Sequence, residues 1–231
     1  GIVCKVHDNL PYVILNYDQI ESKPKTHQIV RECRALILNT TDWSLVGRSF
    51  SRFFNWGEVA DEMGDFDFSN FMVESKEDGS LVVIYWSEQL QSWLANTRGS
   101  FASDKMQFQN ITWTERFLLA IGATSLKDLE GILDKSLTYV CEFCSPWNKV
   151  VRRYEQPKMY LLTIFQGENE LTWEETDKLA LGLLRGDNKP GFCRTTRYEF
   201  KSIEEIQDFI SKQASSDASF EGVVMRDCKN R

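Results

Sequence analysis

The chain reads as an α+β protein of mainly antiparallel sheets flanked by helices, and three observations predict it. Short apolar runs rich in β-branched and aromatic residues recur through the N-terminal part, at 12–16, 35–39 and 71–86. After Gly99 the pattern changes: Thr112-x-x-Glu115, Thr172-x-x-Glu175 and Ser202-x-x-Glu205 each set a hydroxyl three residues before a carboxylate, ahead of apolar residues at helical spacing. Strand-like runs then return at 137–143, 159–165 and 221–226. Helices segregated from strands in this way argue α+β with mostly antiparallel sheets.

Taken in order, 12–16 and 35–39 are strands joined by a polar connection that contains Pro24. A short strand is expected at 45–50, followed by a turn through Arg52 to Gly57. The run from Phe71 to Trp86 is split by Lys76, Glu77, Asp78, Gly79 and Ser80, and Asp-Gly between apolar runs predicts a β-hairpin in which Gly79 takes a positive φ. Residues 92–97 continue that sheet. The capping boxes place helices at 112–121, 172–184 and 202–212, with another at 125–134. No repeat, low-complexity tract or linker interrupts the chain, and 186–191 reads as a loop, so a single domain is expected.

A net charge of −7 argues against a protein that coats nucleic acid nonspecifically, although a few phosphates gripped in one basic groove remain compatible with it. No apolar run approaches the ~20 residues of a membrane span, so no membrane partner is expected. The first residues, Gly1 to Lys5, lack Met and the layout of a signal peptide. Six cysteines without regular spacing suggest reduced thiols and a soluble, intracellular protein. Cys141 and Cys144 form a C-x-x-C pair, but no second pair exists, and in a strand the two would point to opposite faces. Neither a zinc site nor a disulfide is expected there.

Lys76 is the residue with chemical potential. Fixed where a strand enters its turn, it reads either as the polar tip of a hairpin or as an amine that a desolvating sheet helps to deprotonate for nucleophilic attack. Lys76-x-Asp78-Gly79-Ser80 resembles the nucleotide-accepting motif of the covalent nucleotidyltransferases: ATP-dependent DNA and RNA ligases and mRNA capping enzymes. The surrounding segments are similar to one branch, the phage-type RNA ligase 1 family. Arg31-Glu32-Cys33-Arg34-Ala35-Leu36-Ile37-Leu38 and Ser51-Arg52-Phe53-Phe54-Asn55 precede the lysine. Tyr139-Val140-Cys141-Glu142-Phe143, Asn148-Lys149-Val150-Val151, Lys158-Met159-Tyr160-Leu161-Leu162 and Glu221-Gly222-Val223-Val224 follow in the family's order.

The resemblance implies a nucleotidyltransferase (adenylation) domain that uses ATP with magnesium or manganese. Lys76 would be the nucleophile, with Asp78 and Gly79 completing the catalytic motif. Arg34 and Arg52 would contact phosphate; the family often has lysine where Arg52 stands, yet arginine can pair with phosphate bidentately. Glu142 would bond the ribose hydroxyls, and Glu74 belongs to the same nucleotide-binding set. Tyr160 would border the base, a place Phe165 could equally take, and core packing explains either aromatic as well. Arg98, Lys149, Arg152 and Arg153 offer further cations for the nucleotide or the nucleic acid, or simply a solvated basic face.

Glu221 resembles the metal-associated carboxylate of the family, and magnesium needs only one such ligand beside phosphate oxygens and water. The lysine-bearing strand that the family places after the Glu221 segment has no counterpart before Arg231, which predicts a domain cut short of that motif. The implied activity is RNA ligation through a lysyl-AMP intermediate, joining 5′-phosphate to 3′-hydroxyl ends. Another nucleotidyltransferase, or a non-catalytic nucleotide- or RNA-binding module of the same fold, is the alternative.

Overall fold

The computed structural model describes residues 1–23, 26–59, 66–101, 111–147, 151–186 and 189–227. Three sheets organise them. In the first, β1 (Ile2–Val6), β2 (Tyr12–Tyr17), β3 (Arg34–Asn39) and β4 (Leu45–Gly47) follow one another as an antiparallel meander, with the short helix α1 (Gln28–Glu32) between β2 and β3. A third, small sheet is built on β5 (Phe71–Ser75). The central sheet starts from β6 (Ser80–Ser87), which pairs with β7 (Ser92–Thr97) on one side and β8 (Leu137–Cys144) on the other. Outside β8 lie β9 (Lys158–Gln166) and β10 (Asn169–Glu170), and β11 (Cys193–Arg194) joins β9 in parallel.

The central sheet is covered on both faces, which is why β6 is apolar almost throughout rather than alternating. Val82, Ile84 and Trp86 face a core closed by α2 (Trp113–Ile121) and α3 (Trp173–Leu183). The alternate residues Leu81, Val83 and Tyr85 meet Ile14 and Ile37 of the first sheet. The expected capping boxes form at Thr112/Glu115 and Thr172/Glu175, and the Ser202 side chain caps α4 (Ile203–Ser216) by accepting from Glu205 N–H.

Two expectations are corrected here. The segments flanking Lys76 do not form a hairpin: β5 pairs with β12 (Arg197–Tyr198) and β13 (Val223–Asp227), while β6 belongs to the central sheet. Residues 76–79 are therefore a crossover between sheets. Gly79 does not adopt a positive φ either. It is required because a β-carbon there would lie 2.2 Å from the Phe143 carbonyl oxygen.

The helix expected at 125–134 shrinks to a single 3₁₀ turn, Leu126–Leu129, and the strand at 45–50 to three residues. Phe165 is buried in the core, so it offers no face to a base. Cys141 and Cys144 are buried free thiols, and burial raises both above the usual thiol range. Among the described residues, no helix is long and apolar enough to cross a membrane.

Candidate active site

A groove of about 710 Å³ opens where the three sheets diverge, and it gathers Arg34, Arg52, Glu74, Lys76 and Glu142 of the residues singled out by sequence. Its lining includes Arg34 and Arg52 from the first sheet and the loop after it, Glu142 from the central sheet, and Lys76 from the crossover. Ile206 and Ile210 of α4 supply an apolar wall.

Strand pairing puts Lys76 beside Glu221. Ser75 lies opposite Val223 in the β5–β13 ladder, and Lys76 N–H continues it by donating to the Gly222 carbonyl at 3.0 Å. One further step along the antiparallel partner reaches Glu221, whose carboxylate forms an ion pair with Lys76 Nζ. The Lys76 side chain is 37% exposed, so the expected desolvating environment is absent. An ionic partner, not burial, occupies this amine.

Arg34 owes its aim to a bulge. Asn16 of β2 faces Arg34 while Leu15 faces Leu36, which leaves Ala35 as the extra residue, at φ 51°. The Asn16 Oδ1 atom accepts Ala35 N–H at 2.8 Å and so holds this left-handed conformation. The Arg34 guanidinium then lies over the rings of Phe50 (4.3 Å) and Phe53 (5.0 Å), and burial lowers it to about 10. Arg52 lies 4.3 Å over the ring of Tyr17. One buried nitrogen of each guanidinium, Arg34 Nη1 and Arg52 Nη1, has no hydrogen-bond partner among the described residues. Buried donors left open in this way suit an anion with several acceptor oxygens, such as phosphate.

Glu142 shares a sheet face with Tyr160, its cross-strand partner on β9. Loss of surrounding water pushes the Glu142 carboxyl up to about 7, while Arg34 and Lys76, and a hydrogen bond from Gly79 N–H, pull the other way. Tyr160 is half-buried and does not line the groove. Burial, then the Glu77 carboxylate, raises its hydroxyl above the usual phenol range.

Other residues are engaged elsewhere. Glu74 lines the groove, yet its buried carboxylate meets Arg197 at 3.4 Å and Arg194 at 3.7 Å, both of which also hold Asp177. Asp78 is buried, and its Oδ2 atom accepts the backbone N–H groups of Val151 and Arg152. Arg98 lies 4.4 Å over Tyr17, donates to the Tyr17 carbonyl and is not part of the groove lining. Lys149 lies outside the described residues. Arg153 is exposed, whereas Arg152 pairs with Glu77 at 3.5 Å.

Sequence reasoning missed Arg226 of β13, which lines the groove, lies 5.3 Å over Phe50 and pairs with Glu170 at 3.0 Å. Its position five residues after Glu221 in a strand was the available signal. Among the described residues no three or more His, Cys, Asp or Glu side chains cluster as a ready metal site. Glu221, paired with Lys76 beside the groove, is a single carboxylate, which is enough for a magnesium ion held chiefly by phosphate oxygens and water.

The sequence model of the RNA ligase family matches residues 32–231. A protein of Autographa californica nuclear polyhedrosis virus, provisionally named bifunctional polynucleotide kinase/RNA ligase, is 30% identical over 94% of this chain and 31% of its own length. An RNA ligase of Rhodothermus phage RM378 is 27% identical over 71% of this chain and 43% of its own. The chain thus spans less than half the length of these relatives. Among solved structures, an archaeal ATP-dependent RNA ligase superposes with a TM-score of 0.59 at 17% identity, covering all of this chain and 56% of the other. A lysine-to-alanine variant of Naegleria gruberi RNA ligase with ATP and manganese gives 0.56 at 15% identity, over 81% of this chain and 56% of its own. At those identities the likeness is one of fold.

Proposed function

The chain belongs to the RNA ligase family, and from that premise we propose that it is the adenylation domain of an ATP-dependent RNA ligase. One observation carries the reading: an amine at the rim of a groove, Lys76 against Glu221, stands with two arginines whose buried nitrogens lack partners. ATP and manganese in the Naegleria gruberi structure support the same choice of nucleotide and divalent metal.

In the first step Lys76 Nζ attacks the α-phosphorus of ATP. The ion-paired ammonium first gives a proton to solvent; attack then breaks the bond to pyrophosphate, a second proton leaves the nitrogen for solvent, and a lysyl-AMP phosphoramidate forms. Arg34 and Arg52 hold phosphate oxygens, which places cations where charge gathers on the leaving group. Glu142 takes the ribose hydroxyls, whereas Tyr160, outside the groove lining, packs behind it as its cross-strand partner. Glu221 would hold magnesium, which supplies charge neutralisation at the phosphates. Asp78 and Gly79 act on the geometry of Lys76, through the 151–152 backbone and through close packing on β8. AMP then passes to an RNA 5′-phosphate, and a 3′-hydroxyl displaces it to seal the strand.

The test is a single-stranded RNA with a labelled 5′-phosphate and a free 3′-hydroxyl, incubated with the chain, ATP and magnesium and resolved on a denaturing gel. Adenylated and sealed RNA are expected. Sealing of DNA ends in preference to RNA, or no change in either, would overturn the reading.

A further inference from the structure

The crossover that carries Lys76 is braced by a residue that no part of the chemistry above uses. Tyr154 lies in the segment after β8, and its hydroxyl makes two bonds to the residues just after the lysine. It accepts Asp78 N–H at 3.0 Å and donates to Glu77 Oε2 at 2.8 Å. The other oxygen of Glu77 accepts the Ser75 hydroxyl at 2.8 Å, and Ser75 Oγ in turn accepts Thr196 N–H at 3.0 Å. Asp78 ties the same two segments in the opposite sense, by accepting the Val151 and Arg152 N–H groups. Lys76 therefore sits in a connection fixed on both sides: Ser75 before it, Glu77 and Asp78 after it.

Beyond Lys76, whose N–H still reaches the Gly222 carbonyl, the crossover has no ladder partner, so its remaining backbone groups must be satisfied from elsewhere. Here one phenol does this for Asp78 while neutral, and burial raises that phenol's pKa, so the hydroxyl keeps the proton it donates to Glu77. Arg152 adds a second tie, 3.5 Å from Glu77 and 5.2 Å over the Tyr154 ring. We propose that Tyr154 is a positioning residue for Lys76: its hydroxyl fixes the crossover so that the amine meets Glu221 and faces the groove. The inference rests on the proposed function for its kinetic consequence, though not for its geometric one.

Tyr154→Phe removes the hydroxyl and keeps the ring, so the melting temperature should stay within a few degrees of the parent's. With ATP in excess, single-turnover AMP transfer to Lys76 should slow by roughly 10- to 100-fold, because small misplacement of a reacting group has effects of that order. The ATP concentration for half-maximal rate should change less than about 3-fold, since no nucleotide contact is lost.

A second arm needs no nucleotide. Acetylation of Lys76 by acetic anhydride at one fixed pH, followed over time by peptide mass spectrometry, should change in Tyr154→Phe towards the time course of Glu221→Gln, in which the amine has lost its ionic partner. A Tyr154→Phe time course that overlays the parent's, or a rate loss that tracks a falling melting temperature and a rise in the ATP concentration for half-maximal rate together, would overturn the proposal. A parent chain that forms no AMP adduct would instead count against the ligase reading, and the acetylation arm alone would then decide the role of Tyr154.

Discussion

Gly79 lies against the Phe143 carbonyl so closely that a β-carbon would sit 2.2 Å from the oxygen and 2.8 Å from the carbon. Both are backbone atoms at the end of the β6–β8 pairing, where Ser80, the first residue of β6, faces Phe143. Neither can move without breaking the ladder that sets Glu142 in the groove.

Gly79→Ala should therefore lower stability by on the order of 1–3 kcal/mol, the usual effect of overpacking. It should also slow AMP transfer, because the end of the crossover must shift. A denaturant midpoint equal to the parent's would contradict this contact as the reason for the glycine.

Glu142 makes stability depend on pH. Its carboxyl is raised from an ordinary 4.5 to about 7 in the fold, chiefly by burial. Between those values the folded chain holds a proton that the unfolded chain has lost, so stability falls as pH rises through this window and the effect is complete above it. Urea titrations of the parent and of Glu142→Gln should diverge in slope from about pH 4.5 to 7 and run parallel above pH 7. Parallel curves throughout would show that Glu142 ionises normally.

Glu74 holds Arg194 and Arg197 within a four-residue charge cluster that includes Asp177. In Glu74→Gln the two arginines keep only Asp177, and a loss on the order of 1 kcal/mol is expected, with Arg197 partly exposed and screened. The ATP concentration for half-maximal AMP transfer should stay within about 2-fold. A rise of about tenfold without a stability change would place Glu74 against the nucleotide instead.

Much of this was legible in the residues themselves. Thr112/Glu115 and Thr172/Glu175 fix helix starts by local hydrogen bonds, so their spacing suffices to find them. The long strands β6, β8 and β9 show as apolar runs because they are covered on both faces or packed against one. The partners of β5 were not legible. Asp78-Gly79 between two apolar runs carries the local signature of a hairpin, and nothing nearby in sequence reports that β5 pairs instead with strands more than a hundred residues away. That same long-range pairing brings Glu221 to Lys76. The Ala35 bulge was hidden because alanine rarely adopts φ 51°, and the Asn16 side chain that holds it is nineteen residues distant. Glu74, expected in the nucleotide-binding set, does line the groove, but its arginine partners come from β11 and β12, which nothing near it in sequence reports.

The most direct measurement is the location of AMP on the chain after incubation with labelled ATP and magnesium. Digestion and mass spectrometry should find one acid-labile AMP adduct, on the peptide that contains Lys76, and Lys76→Ala should form none while unfolding at the parent's midpoint, since the side chain is at the groove rim and 37% exposed. An adduct on any other residue, or one that persists in Lys76→Ala, would contradict Lys76 as the nucleophile.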